Sequence, residues 1–228
     1  MAASINSSPV PSGRDLGGQT VVVIGGSSGI GLETARLARA RGADIILTAR
    51  EPERLHRAGL ELTAGIAAFD ATDFGRLGRF FDALPSSVDH VLVTGPGPCY
   101  TRPAEFDLDA ARRDVDAHLL LPLQVARDGA SKIRPGGTML FVGGTGGRRP
   151  AAGLALAAAL VAALPAMIKS LASEIAPVRV NLIAAGYTGT PGSASLADVA
   201  ALAVHLMTNT AITGTTIDLV GGQQLSGF

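Results

Sequence analysis

Tryptophan is absent from this 228-residue chain, cysteine occurs once and tyrosine only twice. The single thiol, Cys99, excludes an internal disulfide and fits a reducing compartment, so a cytoplasmic setting is expected. Four scattered histidines give no ligand-spaced cluster with it, and no metal site is expected. Nineteen basic residues balance nineteen acidic ones, so neither nucleic acid nor an acidic membrane surface is an expected partner. Lysine is as scarce as tyrosine: Lys132 and Lys169 are the only two, beside Tyr100 and Tyr187. Between Arg149 and Lys169 there is no charge at all.

That uncharged run passes the crude length test for a membrane span. Against a span, more than half of residues 150–168 are alanine or glycine, and Pro150 and Pro165 interrupt them. No Trp or Tyr flanks the run as an interfacial anchor. A helix buried within a soluble oligomer has the same composition, and that is the expectation. The first residues, "MAASINSSPVPSGRDLGG", lack a basic segment followed by an apolar one, so they do not read as a signal peptide. Their Ser, Pro and Gly content reads as a flexible tail over 1–18, ahead of one domain over 19–228.

Within that domain apolar, β-rich runs occur at 20–25, 43–49, 65–69, 88–94, 138–143, 178–183 and 215–220. Helical patterns fall between them, at 29–41, 52–62, 73–83, 105–133, 152–175 and 195–208. Near-continuous apolar strands alternating with helices predict an α/β fold of Rossmann type. Its expected core is a doubly wound parallel sheet of about seven strands with helices on both faces.

The first strand runs into "GGSSGIG". Gly25, Gly29 and Gly31 let the backbone turn tightly there. The helix opening at Gly29 would aim free N–H groups at a pyrophosphate, with Ser27, Ser28 and Ile30 in the same turn. Its place after a strand and before an amphipathic helix is what gives the glycine pattern weight. The second strand ends in "LTAR". An acidic residue at that point would hold a ribose 2′-OH, whereas Arg50 offers a guanidinium fork to a 2′-phosphate, so NADP(H) is expected over NAD(H). Glu51 beside it would weaken that preference.

Taken together, these segments resemble the short-chain dehydrogenase/reductase family from residue 19 to 222. The glycine turn is similar to T-G-x-x-x-G-I-G, with Ile24 in place of Thr. "FDATD" (69–73) resembles the segment whose Asp, here Asp70, bonds the adenine amine and whose next backbone N–H, of Ala71, reads the ring. "TGPG" (94–97), with Thr94 and Gly95, stands where the family has N-N-A-G. "VRVNLIAAGYTGTP" (178–191) is similar to R-V-N-x-V-x-P-G-x-x-x-T-P, implying that Gly186, Thr188 and Thr190 line the nicotinamide. "ITGTTIDLVGG" (212–222) resembles the closing motif.

The resemblance implies an Asn-Ser-Tyr-Lys tetrad, with Tyr donating a proton, Lys tuning it and holding ribose, Ser orienting the carbonyl, and Asn holding a relay water. Those positions fall on His118, Gly144, Ala157 and Val161, so all four groups are missing. The substrate-binding excursion after the T-P segment is shortened to "GSASL" (192–196). Replacement donors are sought in His118, Tyr187, Thr145 and Tyr100, and Arg148 and Arg149 are read as solvated. A packed thiol is the default for Cys99.

Three readings stay open. The first is an NADP(H)-binding protein that has lost the standard reaction and acts as a sensor or partner subunit. The second is an active NADPH-dependent carbonyl or alcohol oxidoreductase with a relocated donor. The third is a structural paralogue without cofactor. The resemblance further implies a homodimer or homotetramer through the 105–133 and 152–175 helices, and a heteromer with an active relative is a further option.

Overall fold

The computed structural model describes residues 16–85, 87–146, 148, 151–186 and 194–221. Among them, seven parallel strands form one sheet: β1 (Thr20–Ile24), β2 (Asp44–Ala49), β3 (Gly65–Ala68), β4 (Val88–Val93), β5 (Ile133–Gly144), β6 (Arg179–Ala185) and β7 (Thr215–Leu219). The spatial order is β3-β2-β1-β4-β5-β6-β7, so the winding reverses between β1 and β4. A crevice opens at the carboxyl ends of the strands at that reversal, the usual place for a ligand in such sheets.

Seven α-helices among the described residues cover the sheet: α1 (Gly29–Ala40), α2 (Pro52–Leu62), α3 (Phe74–Ala83), α4 (Leu108–Val115), α5 (Leu121–Gly129), α6 (Ala155–Glu174) and α7 (Leu196–Thr208). The sheet residues alternate between two apolar layers. Val22, Ile24, Val91 and Val93 face α3, α5 and α6, while Val21, Val23 and Leu92 face α1, α2 and α7. Burying both faces explains why the strands read as unbroken apolar runs.

The long helix expected over 105–133 is broken. A 3-10 turn at Pro103–Glu105 precedes α4, a π-helical turn over Asp116–Leu120 follows it, and a second 3-10 turn closes α5 at Ala130–Lys132. Pro122 has no N–H to donate backward, and the wider turn just before it adjusts the hydrogen-bond register around that gap. Strand β5 begins at Ile133, five residues earlier than its apolar run suggests. Ile133 pairs with Val88 and Thr138 with His90, so the intervening "RPGG" bulges out of the ladder. Helix α6 begins at Ala155 rather than 152. Leu16, which composition assigns to the tail, is fully buried and donates its N–H to the Arg41 carbonyl at 2.9 Å, so packing extends three residues further toward the N-terminus.

A buried polar row lies under the opposite, amino-terminal edge of the sheet. Arg179 on β6 is 6 % exposed and donates to the carbonyls of Leu206, Met207 and Asn209 at 2.7–2.9 Å, which are the orphan acceptors at the end of α7. It also donates to Gly136 O in the β5 bulge and to Thr138 Oγ1. His90 on β4 contacts Gln19 Oε1 through Nε2 at 2.8 Å, and its Nδ1 is buried without a partner. Burial lowers the His90 pKa to about 4.

Candidate functional site

A cleft of about 420 Å³ occupies the crevice at the winding reversal. It starts at the turn between β1 and α1. Gly25 takes φ +88°, and a Cβ there would stand 2.3 Å from the Thr94 carbonyl oxygen. A Cβ on Gly31 would meet the Gly25 carbonyl at 2.3 Å, so that glycine lets α1 seat on the turn from behind and is not on the cleft wall. Gly29 takes φ +55°, and a Cβ there would meet nothing within 4 Å among the described residues. Ser28, at the N-cap of α1, makes no side-chain cap, so the first-turn N–H groups of α1 are free of that side chain. Ser27, Ser28, Gly29 and Ile30 all line the cleft. This narrow, glycine-lined cradle at a helix N-terminus fits a dinucleotide pyrophosphate.

The ends of β2 and β3 and the start of α2 form the other wall, with Arg50, Arg54, Asp70 and Ala71 on it. Asp70 Oδ1 accepts from Thr72 N at 2.9 Å and from Thr72 Oγ1 at 2.8 Å, a local turn that fixes the carboxylate on the cleft side of β3. Arg50 is exposed and has no ion pair among the described residues; the same holds for Arg54. Arg54 was not singled out in the sequence, where it reads as a surface arginine. The signal for it was its spacing: four residues after Arg50 and one turn into a helix that starts at Pro52.

Thr94 and Gly95 form the floor after β4. Thr94 N donates to Ile24 O at 2.9 Å and its hydroxyl to Gly25 O at 3.3 Å. Beyond them the cleft narrows into a recess of about 50 Å³ whose walls include Val93, Phe141, Val142, Leu164 and Leu182. Gly186 is tied by its N–H to Leu219 O at 2.9 Å and lies off this wall. Tyr187, Thr188 and Thr190 lie outside the described residues, as does Arg149.

Of the four positions that the resemblance assigns to the tetrad, His118 lines this recess, whereas Gly144, Ala157 and Val161 are on the wall of neither the cleft nor the recess. Ala157 is fully buried and Val161 is 6 % exposed, on the face of α6 that packs inward. Gly144 ends β5, and among the described residues the atom nearest a Cβ there would be Gly146 N at 3.7 Å. His118 sits in the π-helical turn, with Nδ1 2.8 Å from Asp114 O and Nε2 3.1 Å from Pro96 O. Each ring nitrogen faces a backbone carbonyl, and a neutral ring has a single N–H to donate, so the tautomer decides which of the two carbonyls, on the helix or on the 95–97 loop, accepts it. Thr145 is 7 % exposed and its N–H bonds Ala185 O at 3.2 Å.

Tyr100 is on the wall of neither the cleft nor the recess. Its phenol oxygen lies 2.9 Å from where a Gly146 Cβ would be, over the loop that follows β5. Neighbouring backbone holds it there: Cys99 N donates to Asp114 Oδ2 at 2.9 Å and Thr101 N to Gly153 O at 3.0 Å. The Cys99 side chain is exposed, against the expected packed thiol. Arg148, expected to be solvated, forms a two-pronged ion pair with Asp218 on β7, one prong at 2.8 Å.

The family model described as enoyl-(acyl carrier protein) reductase matches residues 24–222. The chain belongs to the short-chain dehydrogenase/reductase family. It is 29 % identical to the short-chain dehydrogenase/reductase ATR9 of Stachybotrys chlorohalonatus, over 90 % of this chain and 96 % of that one. It is 30 % identical to ucsE of an Acremonium species, over 75 % and 72 % respectively. A short-chain dehydrogenase of Burkholderia cenocepacia solved in complex with NADP has the same fold, at a TM-score of 0.84 and 23 % identity over 91 % of this chain and 98 % of that one. The family's fold is kept, and Gly144, Ala157 and Val161, which the resemblance aligns with Ser, Tyr and Lys, are residues without a group to donate a proton or hold a charge.

Proposed function

We propose that this protein binds NADP(H), in preference to NAD(H), and acts through that binding, as a sensor or partner subunit, rather than through the family's Tyr-Lys proton relay. The single observation that carries this reading is the contrast between the two ends of one cleft. The cradle at Gly25–Ile30, the turn at Asp70 and the unpaired Arg50 fit a phosphorylated dinucleotide. When bound, the dinucleotide supplies a hydride donor or acceptor. At the relay positions, however, Ala157 and Val161 are packed into the apolar layer and have no proton to move. General acid catalysis contributes about 10²–10⁴-fold, so a site without it loses ordinary carbonyl reduction in large part. The Burkholderia neighbour's complex with NADP supports the choice of nucleotide.

A second reading, an active oxidoreductase with a relocated donor, is favoured by one observation: the Tyr100 phenol lies against Gly146 in the loop after β5. His118 is the weaker substitute, because its ring is set between two backbone carbonyls, of Asp114 and Pro96. A homodimer or homotetramer is part of the proposal. Helix α6 has a mean hydropathy of 1.9 with a third of it buried, and its Ala155, Ala159, Ala162 and Ala166 present a flat exposed stripe. Leu120 and Leu123 beside α5 are 41 % and 45 % exposed. Covering those surfaces with a second copy accounts for composition that otherwise looks like a membrane span.

The test is calorimetric titration of nucleotide-stripped protein with NADPH and NADH. The reading predicts micromolar binding of NADPH, at least about tenfold weaker binding of NADH, and convergence of the two in Arg50→Ala, each tenfold being about 1.4 kcal/mol. Equal affinity for both in the wild type refutes the preference.

A further inference from the structure

His118 is one imidazole ring facing two acceptors. Its Nδ1 lies 2.8 Å from Asp114 O, four residues back in the chain, and its Nε2 lies 3.1 Å from Pro96 O in the loop after β4. A neutral ring carries one N–H, so one of these contacts sets a nitrogen lone pair against a carbonyl oxygen, which repels it. A doubly protonated ring donates to both, and hydrogen bonds from a charged donor are the stronger kind. The arrangement therefore favours the ring that holds two protons.

The charges around it point the same way. Among the described residues, β4, β5, β6, α5 and α6 bring no charged side chain to the recess that His118 lines. On its own side of the chain stand Asp116, half-buried, and Asp114, which is 7 % exposed. The Asp114 carboxylate accepts from Cys99 N and has no ion pair among the described residues. Arg112 and Arg113 are exposed, Arg112 being paired with Asp109. The Cys99 thiol and the Tyr100 phenol, on the segment that follows the loop, are exposed too. A cation at His118 offsets the buried Asp114 charge, which a neutral ring does not do.

The loop that His118 grips is the floor of the nucleotide cleft. Gly95 and Pro96 line both the cleft and the recess. The Thr94 carbonyl before them is packed so closely on the glycine turn that a Cβ on Gly25 would stand 2.3 Å from it. A shift of this loop is thus felt at the phosphate cradle. We propose that His118 is a positioning residue: with two protons it bridges helix and loop and holds the cleft floor in its binding form, and on losing one to solvent it releases one side. Nucleotide binding is then linked to uptake of a proton at this ring. That coupling rests on the NADP(H) reading above and adds a second input to it, so the protein responds to nucleotide and proton concentration together. The linkage is reciprocal: bound nucleotide favours the protonated ring by the factor by which the protonated ring favours nucleotide.

Two measurements on the full chain test this, the first without nucleotide. Ring nitrogen signals of ¹⁵N-histidine, assigned to His118 by their loss in His118→Asn, are followed by NMR from about pH 5.5 to about pH 9, beside the amide signals of Gly95 and Gly97. The two amides are expected to shift with the midpoint of the His118 ring. They should stay fixed in His118→Asn, whose amide donates to one carbonyl and does not titrate. Calorimetry with NADPH over the same range is expected to show wild-type affinity falling about fivefold to tenfold, relative to His118→Asn, as the ring loses its second proton. Taking the ratio to the variant removes the ionisation of the nucleotide's own 2′-phosphate, and the range lies above the His90 value of about 4. A ring that holds one proton throughout, or that titrates without moving the loop amides, overturns the tie whether or not NADPH binds. Affinities of wild type and variant that run parallel with pH overturn the linkage and leave the NADP(H) reading in place. Failure of both proteins to bind NADPH at any pH overturns that reading and the linkage with it, while the amide signals still decide the tie.

Discussion

Lowering the pH should unload stability from a residue far from the cleft. His90 lies inside the sheet, 1 % exposed, paired through Nε2 with Gln19 and with Nδ1 unpartnered. Burial holds its pKa at about 4, against 6.5 when exposed. Since the folded value is the lower one, the unfolded chain takes up the proton first. The contribution of His90 is therefore fully present above about pH 6.5 and is lost as the pH falls toward 4. Between pH 7 and pH 5 the two values imply a loss of about 2 kcal/mol, and between pH 7 and pH 4 about 3 kcal/mol. Urea unfolding of wild type and His90→Gln at both ends of that range isolates the effect, because the glutamine amide donates to Gln19 without titrating. The wild type should lose about 2 kcal/mol more than the variant between pH 7 and pH 5. Parallel pH dependences, within about 0.5 kcal/mol, would refute a buried neutral His90.

Arg179→Met should cost at least about 3 kcal/mol in urea unfolding, because it leaves the carbonyls of Leu206, Met207 and Asn209 buried without donors. Gly144→Ser should leave stability within about 0.5 kcal/mol of wild type, since among the described residues a Cβ there meets nothing closer than 3.7 Å. A thermal melt that shifted markedly would show that the β5 end is tighter than described. Gly31→Val should abolish NADPH binding, and lower stability by about 1–3 kcal/mol, through the clash with the Gly25 carbonyl. Ala162→Glu, on the exposed alanine stripe of α6, should convert the proposed oligomer to monomer by size-exclusion light scattering, with the fold intact by circular dichroism.

Much of this fold was written in periodicity. Strand β1, its glycine turn and α1 follow from an apolar β-branched run breaking into Gly-Ser-Ser-Gly, and the cleft forms where they said a phosphate cradle would be. The breaks around α4 and α5 were not legible, because apolar spacing reports which face is buried and not how backbone hydrogen bonds are registered; only Pro122 hinted at the π-helical turn. The start of β5 was hidden by Pro135 and by Gly136 and Gly137, turn-forming residues that the sheet absorbs as a bulge held by Arg179. The ion pair of Arg148 with Asp218 and the contact of His118 with Pro96 depend on neighbours distant in sequence. A charge in a sequence does not say what it will meet.

The central claim, a nucleotide held where no relay moves a proton, is tested most directly by following NADPH absorbance with stoichiometric protein and a panel of activated aldehydes and ketones. The account predicts that NADPH binds and stays reduced over hours, at the rate of a protein-free control. Carbonyl-dependent oxidation that survives in wild type and vanishes in Tyr100→Phe would contradict it, and would make Tyr100 the relocated acid of a working reductase.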